Sequence, residues 1–411
     1  MKYGKAHAVR VSQQVAGVAV TKSFWLILSI LFALASHNVG AAVLPADRAD
    51  VLYHSYDGGG VEVTGPSVLV RKSIGDSFSG SLNYYIDNVS SASIDVLSSG
   101  ASPYEEERTE KSVNLDYLHD KTIMSLSYTN SEESDYIADT FSFNISQDMF
   151  GDLTTVTLGY SQGDNTIGKN YQGQPDPNFT EQNSTTRSYR VGVSQVITKD
   201  SLLTGVFESI ADEGYLQNPY RSARYCVPPL TDPVPPPNCT GDAFEPENYP
   251  NTRSSNAIAI RGRYYLPYRA SIFGGYRYYN DSWGIRGNTV ELGYVHPFKT
   301  AWLAEINYRY YTQTKADFYQ DIFPYPDSQN FLARDKELST FDSNSVGFGI
   351  SYDFATAGWK YIDRGSLNFY YNYIYFDYKD FRNALVDAPP QEQPLYNFSA
   401  NVLRLFVSIW Y

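Results

Sequence analysis

Residues 401–411 read NVLRLFVSIWY. Leu403, Leu405, Val407, Ile409 and Tyr411 share one face of an extended segment, and Arg404 and Ser408 lie on the other. A period of two marks a strand, here with one wholly apolar side. Most soluble chains finish in a few hydrophilic residues. This stretch finishes on an aromatic, so its apolar side must meet either a protein core or lipid. The answer depends on whether the pattern recurs, and on what its second face carries.

It recurs along the whole chain. Phe78, Leu82, Tyr84 and Ile86 alternate with Ser79, Ser81, Asn83 and Tyr85. Met124, Leu126 and Tyr128 alternate with Ser125, Ser127 and Thr129, and Phe141, Phe143 and Ile145 with Ser142, Asn144 and Ser146. Val156, Leu158 and Tyr160 follow the same rule, as do Val346, Phe348, Ile350 and Tyr352, and Leu367, Phe369, Tyr371 and Tyr373. A soluble sandwich would place Lys, Glu and Arg on the solvent face. Here the second face of the first half is Ser, Thr, Asn and Gly, which suits a crowded, wet lumen.

The connections alternate in length. Short ones fall at 74–77, 118–121, 149–152, 198–201, 266–269 and 296–299. Between them lie long polar segments near 90–110, 164–186, 214–254, 315–340 and 380–395. Short turns on one side and long loops on the other are the pattern of an outer-membrane barrel. The expected fold is therefore all-β: a transmembrane antiparallel barrel with short periplasmic turns and long extracellular loops. Counting back from 411, fifteen strands reach Val61, and ADVLYHSYDGGG (49–60) supplies one more, with Gly58 to Gly60 as a tight turn. Single-chain bacterial barrels have even strand numbers, so about 16 strands are expected, or 14 with an N-terminal plug. The last strand then seals the barrel against the first. Leu405, Val407, Ile409 and Tyr411 also have the spacing of the signal read by the barrel assembly machinery, although Phe is commoner than Tyr in the last place.

The opposite end agrees. Lys2, Lys5, Arg10 and Lys22 precede the apolar run FWLILSILFALA (24–35), and small residues follow at Gly40, Ala41 and Ala42. This is the order of a secretory signal peptide, expected over 1–42, with the barrel over 43–411. The run is about 12 residues, short of the roughly 20 that span a bilayer as a helix. Tyr at 37 and Phe at 22 of 411 residues would furnish interfacial girdles. A formal charge of −13 leaves no basic stripe for nucleic acid. The expected location is the bacterial cell outer membrane, with membrane lipid, lipopolysaccharide, the assembly machinery and an unidentified small solute as partners.

Charge on the lipid face costs about 2–4 kcal/mol near the midplane, so strand charges are expected to point inward. Arg190, Glu208, Arg261, Arg263, Arg277, Glu291, Glu305 and Arg309 are the candidate lumen residues. They form either a selectivity field or salt bridges that fill a narrow lumen. Cys226 and Cys239 bracket CVPPLTDPVPPPNC in the long Pro-rich loop at 214–254, and two Cys on one loop of an exported chain most simply form a disulfide. The acidic clusters YEEERTE (104–110) and SEESD (131–135) are placed in long loops, either bridging lipopolysaccharide through cations or simply solvated.

A passive pore or solute transporter with a polar lumen is the first functional expectation. No catalytic residue, cofactor or metal site is expected: there is no phosphate loop or zinc spacing. A hydrolase would need a base near the outer rim. Of the three histidines after residue 42, His119 and His296 fall at short turns, leaving only His54. An Asp or Ser within hydrogen-bond reach of His54 would favour the enzyme.

Residues 47–96, with NPYRSARY (218–225), RGRYYLPYRA (261–270), DSWGI (281–285) and ARDKELSTFDS (333–343), resemble an uncharacterised family of Gram-negative exported proteins described as a domain of unknown function. The resemblance implies an outer-membrane barrel spanning nearly the whole exported chain. It also implies neighbours that include small lipoproteins, thioredoxin-like proteins and flavin-transferring enzymes. That makes a structural or partner-binding role beside a periplasmic redox system the alternative function. Against that family the Cys-containing loop is an insertion in this chain, so its disulfide is not implied by the resemblance.

Overall fold

The computed structural model describes residues 43–411, apart from 92, 95–97, 99–103, 172, 228–238, 240 and 356–357. Residues 1–42, where a signal peptide is expected, and the prolines between the cysteines lie outside the described residues. In chain order the strands are β1 (Arg48–Gly58), β2 (Val61–Ile74), β3 (Phe78–Ser91), β4 (Tyr104–His119), β5 (Thr122–Glu132), β6 (Tyr136–Met149) and β7 (Thr154–Ile167). Then come the two-residue strands β8 (Asn170–Tyr171) and β9 (Gln174–Pro175), followed by β10 (Gln182–Thr198) and β11 (Ser201–Gly214). The hairpin β12 (Ser222–Val227) and β13 (Gly241–Pro246) precedes β14 (Thr252–Tyr265), β15 (Ser271–Asp281), β16 (Arg286–Phe298) and β17 (Trp302–Gln313). The last three are β18 (Phe341–Phe354), β19 (Arg364–Arg382) and β20 (Leu395–Trp410).

Sixteen of these close into one antiparallel barrel, each pairing with its neighbours in chain order, and β1 pairs with β20. The small hairpins β8–β9 and β12–β13 stand apart from the wall. Closure gives the ladder no free edge, the arrangement that satisfies backbone groups in lipid. The seam is specific in register: Val51 faces Val407, Tyr53 faces Leu405 and Leu52 faces Phe406. Tyr411 lies just past β20. Its hydroxyl donates to the Arg71 carbonyl at 3.1 Å, and the Lys72 ammonium stands 4.9 Å over its ring. The fourteen-strand alternative is excluded, because β1 is a wall strand rather than a plug.

The outer surface is apolar for the reason the alternation predicts. Val68, Leu82, Val113, Leu126, Leu158 and Ile260 are exposed, while the residues between them turn inward. Wall strands run from 11 to 19 residues, longer than the roughly 9–11 needed to cross a bilayer. They continue past the apolar belt on polar residues. At one rim the connections are short, at 75–77, 120–121, 150–153, 199–200, 266–270 and 299–301, with 355–363 somewhat longer. At the opposite rim lie 92–103, 168–181, 215–251, 314–340 and 383–394.

Three connections at that second rim are nevertheless tight: 59–60, 133–135 and 282–285. Gly59 and Gly60 have φ of 62° and 79°, the mirror-image turn that matches strand twist in a two-residue hairpin. The acidic clusters do not sit in long loops. Residues 104–110 begin β4, and 131–135 close β5 and form a three-residue turn. Backbone pairing carries these strands beyond the belt, where apolar alternation no longer marks them.

Candidate functional site

All eight candidate lumen residues fall on the face opposite the exposed apolar residues of their strands. Arg190 lies between exposed Tyr189 and Val191, and Arg261 follows exposed Ile260. They gather on one arc of the wall, from β10 to β17. Arg190 faces Glu208 across β10–β11, and Glu291 faces Arg309 across β16–β17. The side chains then pair on a longer diagonal: Arg277 Nη2 is 3.6 Å from Glu208 Oε2, and Arg261 Nη2 is 3.4 Å from Glu291 Oε1. Phe273 lies under two of the arginines, 4.5 Å from the Arg261 guanidinium and 5.4 Å from that of Arg263. Arg309 stands 5.5 Å over the Tyr311 ring. Glu305 accepts from Asn307 at 3.4 Å. Ring stacking and partial pairing hold these guanidinium groups flat against the wall.

The arc continues beyond the residues singled out from sequence. Arg404 on β20 also points inward, over Tyr370 at 5.6 Å, and its Nη2 reaches Asn372 Oδ1 at 3.4 Å. The signal was present in Leu403-Arg404-Leu405, which follows the same alternation as Ile260-Arg261. The wall from β3 to β7 is different in kind. Its inward residues include Ser81, Asn83, Asn114, Ser127, Ser142, Asn144 and Ser161, and its Asp116 is paired with Arg71 of β2.

His54 lies on the inner face of β1, 8% exposed. Its Nε2 is 2.7 Å from Asp87 Oδ1 and 2.9 Å from the Tyr85 hydroxyl, and the His54 and Tyr85 rings stack at 4.8 Å. Asp87 also lies 3.7 Å from Arg108, which donates to Ser131 and Glu110 at 2.7 Å each. So the carboxylate that sequence reasoning asked for near His54 exists. It comes from a strand 33 residues away. Among the described residues no serine or threonine hydroxyl is hydrogen-bonded to His54.

Over the long-loop rim the connections pack on each other. Tyr249, Trp283, Phe318, Tyr319, Leu338 and Phe381 form a buried cluster drawn from three connections and the end of β19. Arg224, 1% exposed, is held by Asp242 and by Gln393 Oε1 at 2.8 Å. Arg334 donates to Asp321 and to the Arg382 carbonyl and stacks on Phe381 at 4.4 Å. Glu247 accepts from the Tyr249 hydroxyl and the Arg334 amide, both at 2.6 Å, beside the Arg221–Asp335 pair. Burial pushes the Glu247 carboxyl up to about 7. In the 133–135 turn it pushes Glu133 to about 8 and Asp135 to about 6. Cys226 and Cys239 form a disulfide with Cα atoms 5.5 Å apart, clipping the two arms of the β12–β13 hairpin together. The loop itself covers 215–251, since β14 begins at Thr252.

Solved structures with a related outline include a bacterial polysaccharide outer membrane secretin, at 6% identity and TM-score 0.48, covering 89% of this chain and 99% of that one. A loop-deletion mutant of OmpT, an outer membrane protein of Vibrio cholerae, is 10% identical with TM-score 0.41 over 89% and 99%. An anion-selective porin from Comamonas acidovorans is 7% identical with TM-score 0.37 over 89% and 99%. No curated protein matches the chain. One family model matches residues 95–373, from the connection after β3 into β19, so the stretch 47–94 lies outside it. With more than half of its length matched, the chain belongs to the family described as "Protein of unknown function (DUF3570)".

Proposed function

We propose that this chain is an outer-membrane barrel that passes small solutes along the charged arc of its lumen, without being an enzyme. The observation that carries this reading is the division of the wall. An apolar outer belt meets lipid, and inside it Arg and Glu concentrate on β10–β17, while the β3–β7 wall is mostly Ser, Asn and Thr and its charges, Asp87, Arg108, Glu110 and Asp116, are tied to one another or to His54 and Arg71. Two opposed walls of different charge orient a solute as it passes, and fixed guanidinium groups in a narrow tube act at close range. Five arginines against three glutamates among the eight candidates favour anionic solutes. The long-loop cap then regulates entry at the mouth. Liposome swelling with graded uncharged and anionic solutes tests the reading: faster swelling with small anions is expected, and no swelling with any solute overturns it.

One observation favours a second reading, a hydrolase centred on His54 and Asp87. Two features weigh against it. The Nε2 that would receive a proton is already engaged by both Asp87 and Tyr85, and the pair is buried in the wall. We assign the pair a positioning role in the wall. Replacing His54 by Gln should leave solute flux intact.

A further inference from the structure

On the outer face, β11 and β14–β18 surround an apolar notch of about 950 Å³. Gly262 and Gly274 form its floor, and Leu203, Leu292, Ile306 and Tyr308 stand around it. The two glycines are adjacent in register, so two neighbouring strands present no outward side chain at the same level. Gly262 lies near the end of β14 and Gly274 near the start of β15, which puts the notch in the short-turn half of the belt.

A second feature lies directly beneath it. Tyr294, His296 and Phe298 run down the outer face of β16. The Tyr294 hydroxyl is 2.7 Å from His296 Nδ1, and the His296 ring is 4.5 Å from Phe298 and 6.1 Å from Tyr268. The turns on either side carry Arg269 and Lys299, both exposed and without a carboxylate in ion-pair range among the described residues. Among the other connections at this rim, Lys121 is paired with Asp152 and Lys199 has Asp200 beside it, while Lys360 in 355–363 lies over the Tyr361 ring. From Tyr294 to Lys299 is five residues, or about 17 Å of extended chain. Apolar volume, an aromatic and imidazole platform and two free cations therefore follow one another along the membrane normal.

We propose that this is a binding site for one anionic glycerophospholipid, its acyl chains in the notch and its phosphate between Arg269 and Lys299. The short-turn half of an outer-membrane barrel faces the phospholipid leaflet, not lipopolysaccharide. The order of the three features matches a lipid running from tail through interface to headgroup. A second copy of the chain would instead need apolar surface facing the turns, where Arg269 and Lys299 leave two like charges to be buried. The inference rests on the membrane reading of the belt.

The test uses full-length protein refolded in detergent and native mass spectrometry with phosphatidylglycerol, phosphatidylethanolamine and diacylglycerol at equal concentration. One retained phosphatidylglycerol per barrel is expected. Gly262→Leu fills the notch without strain, since a Cβ there meets no atom within 4 Å. It should lower phosphatidylglycerol occupancy about tenfold while heat-modifiable mobility stays normal. Arg269→Gln with Lys299→Gln should abolish the preference over diacylglycerol and leave some lipid bound. Unchanged occupancy in Gly262→Leu overturns the site. So does a Gly262-dependent dimer in place of a lipid adduct. A chain that folds without detergent or lipid and shows no heat-modifiability overturns the membrane reading beneath it, and the two failures are told apart on the same samples.

Discussion

On the wall, Leu405 sits between Tyr53 and Phe369 on the adjacent strands, and the same relation repeats strand after strand around the barrel. Over the mouth, Arg224 reaches Gln393, 169 residues away, and Arg334 takes Asp321 from its own connection and Arg382 and Phe381 from the end of β19. The wall is held by a continuous ladder between strands that are mostly neighbours in sequence. The cap is held by a few buried charges and one aromatic cluster. The two regions should therefore fail separately, the wall only as a whole and the cap piece by piece.

The largest effect should come from the wall. Deleting residues 403–411 removes the β20 partner of most of β1 and opens the ladder in lipid, where each unpaired backbone group costs several kcal/mol. Most of the folded, heat-modifiable protein should be lost. Normal yield of the deletion variant would show that β20 is dispensable for closure.

In the cap, Arg334→Ala removes the ion-pair partner of Asp321, leaving it the Arg382 amide, and uncovers Phe381. Breaking a buried pair from one side costs about 3–5 kcal/mol. External protease should then clip 215–251 and 314–340 while the barrel keeps its gel mobility. Simultaneous loss of the barrel would mean that wall and cap are one cooperative unit.

A smaller, graded effect follows from Glu247. Its carboxyl is raised in the folded cap to about 7, above its ordinary range near 4.5. A raised folded value means the folded cap binds the extra proton, so the contribution is complete below about pH 4.5 and disappears as pH rises through about 7. Glu133, raised to about 8, acts in the same direction. Hydrogen exchange in 245–249 and 332–335 should quicken from pH 5 to pH 8 by more than the intrinsic rate, and Glu247→Gln should flatten that excess. Equal protection across the range would contradict it.

The smallest effect is expected for Cys226→Ser with Cys239→Ser. Closing so short a loop is worth roughly 3 kcal/mol in the unfolded-state entropy model, and here it acts on one hairpin. The variant should assemble normally and become sensitive to protease near the hairpin, as read by peptide mapping. Maleimide labelling of both thiols in the untreated native protein would dispose of the bond.

The same division explains what could be read from residues alone. Alternation at Ile258, Ile260 and Tyr264 is imposed by lipid on one side and water on the other, so it announces both strand and facing, and with them the inward set from Arg190 to Arg309. Where strands leave the belt that constraint ends. Glu105, Glu107 and Lys111 on β4 are as polar as a loop, and the strand there is maintained by backbone pairing to β3. Cap contacts have no period at all. Nothing near Arg334 in sequence names Glu247 or Phe381, and nothing near His54 names Asp87.

The central claim is that the charged arc faces a conducting lumen. It is tested most directly by the reversal potential of purified protein in planar bilayers under a salt gradient. The wild type should pass current with anions favoured. Arg261→Glu with Arg263→Glu turns five arginines and three glutamates into three and five, so the sign of the reversal potential should invert at similar conductance. A barrel that folds and inserts but stays silent, or one whose selectivity ignores the substitution, would contradict the account.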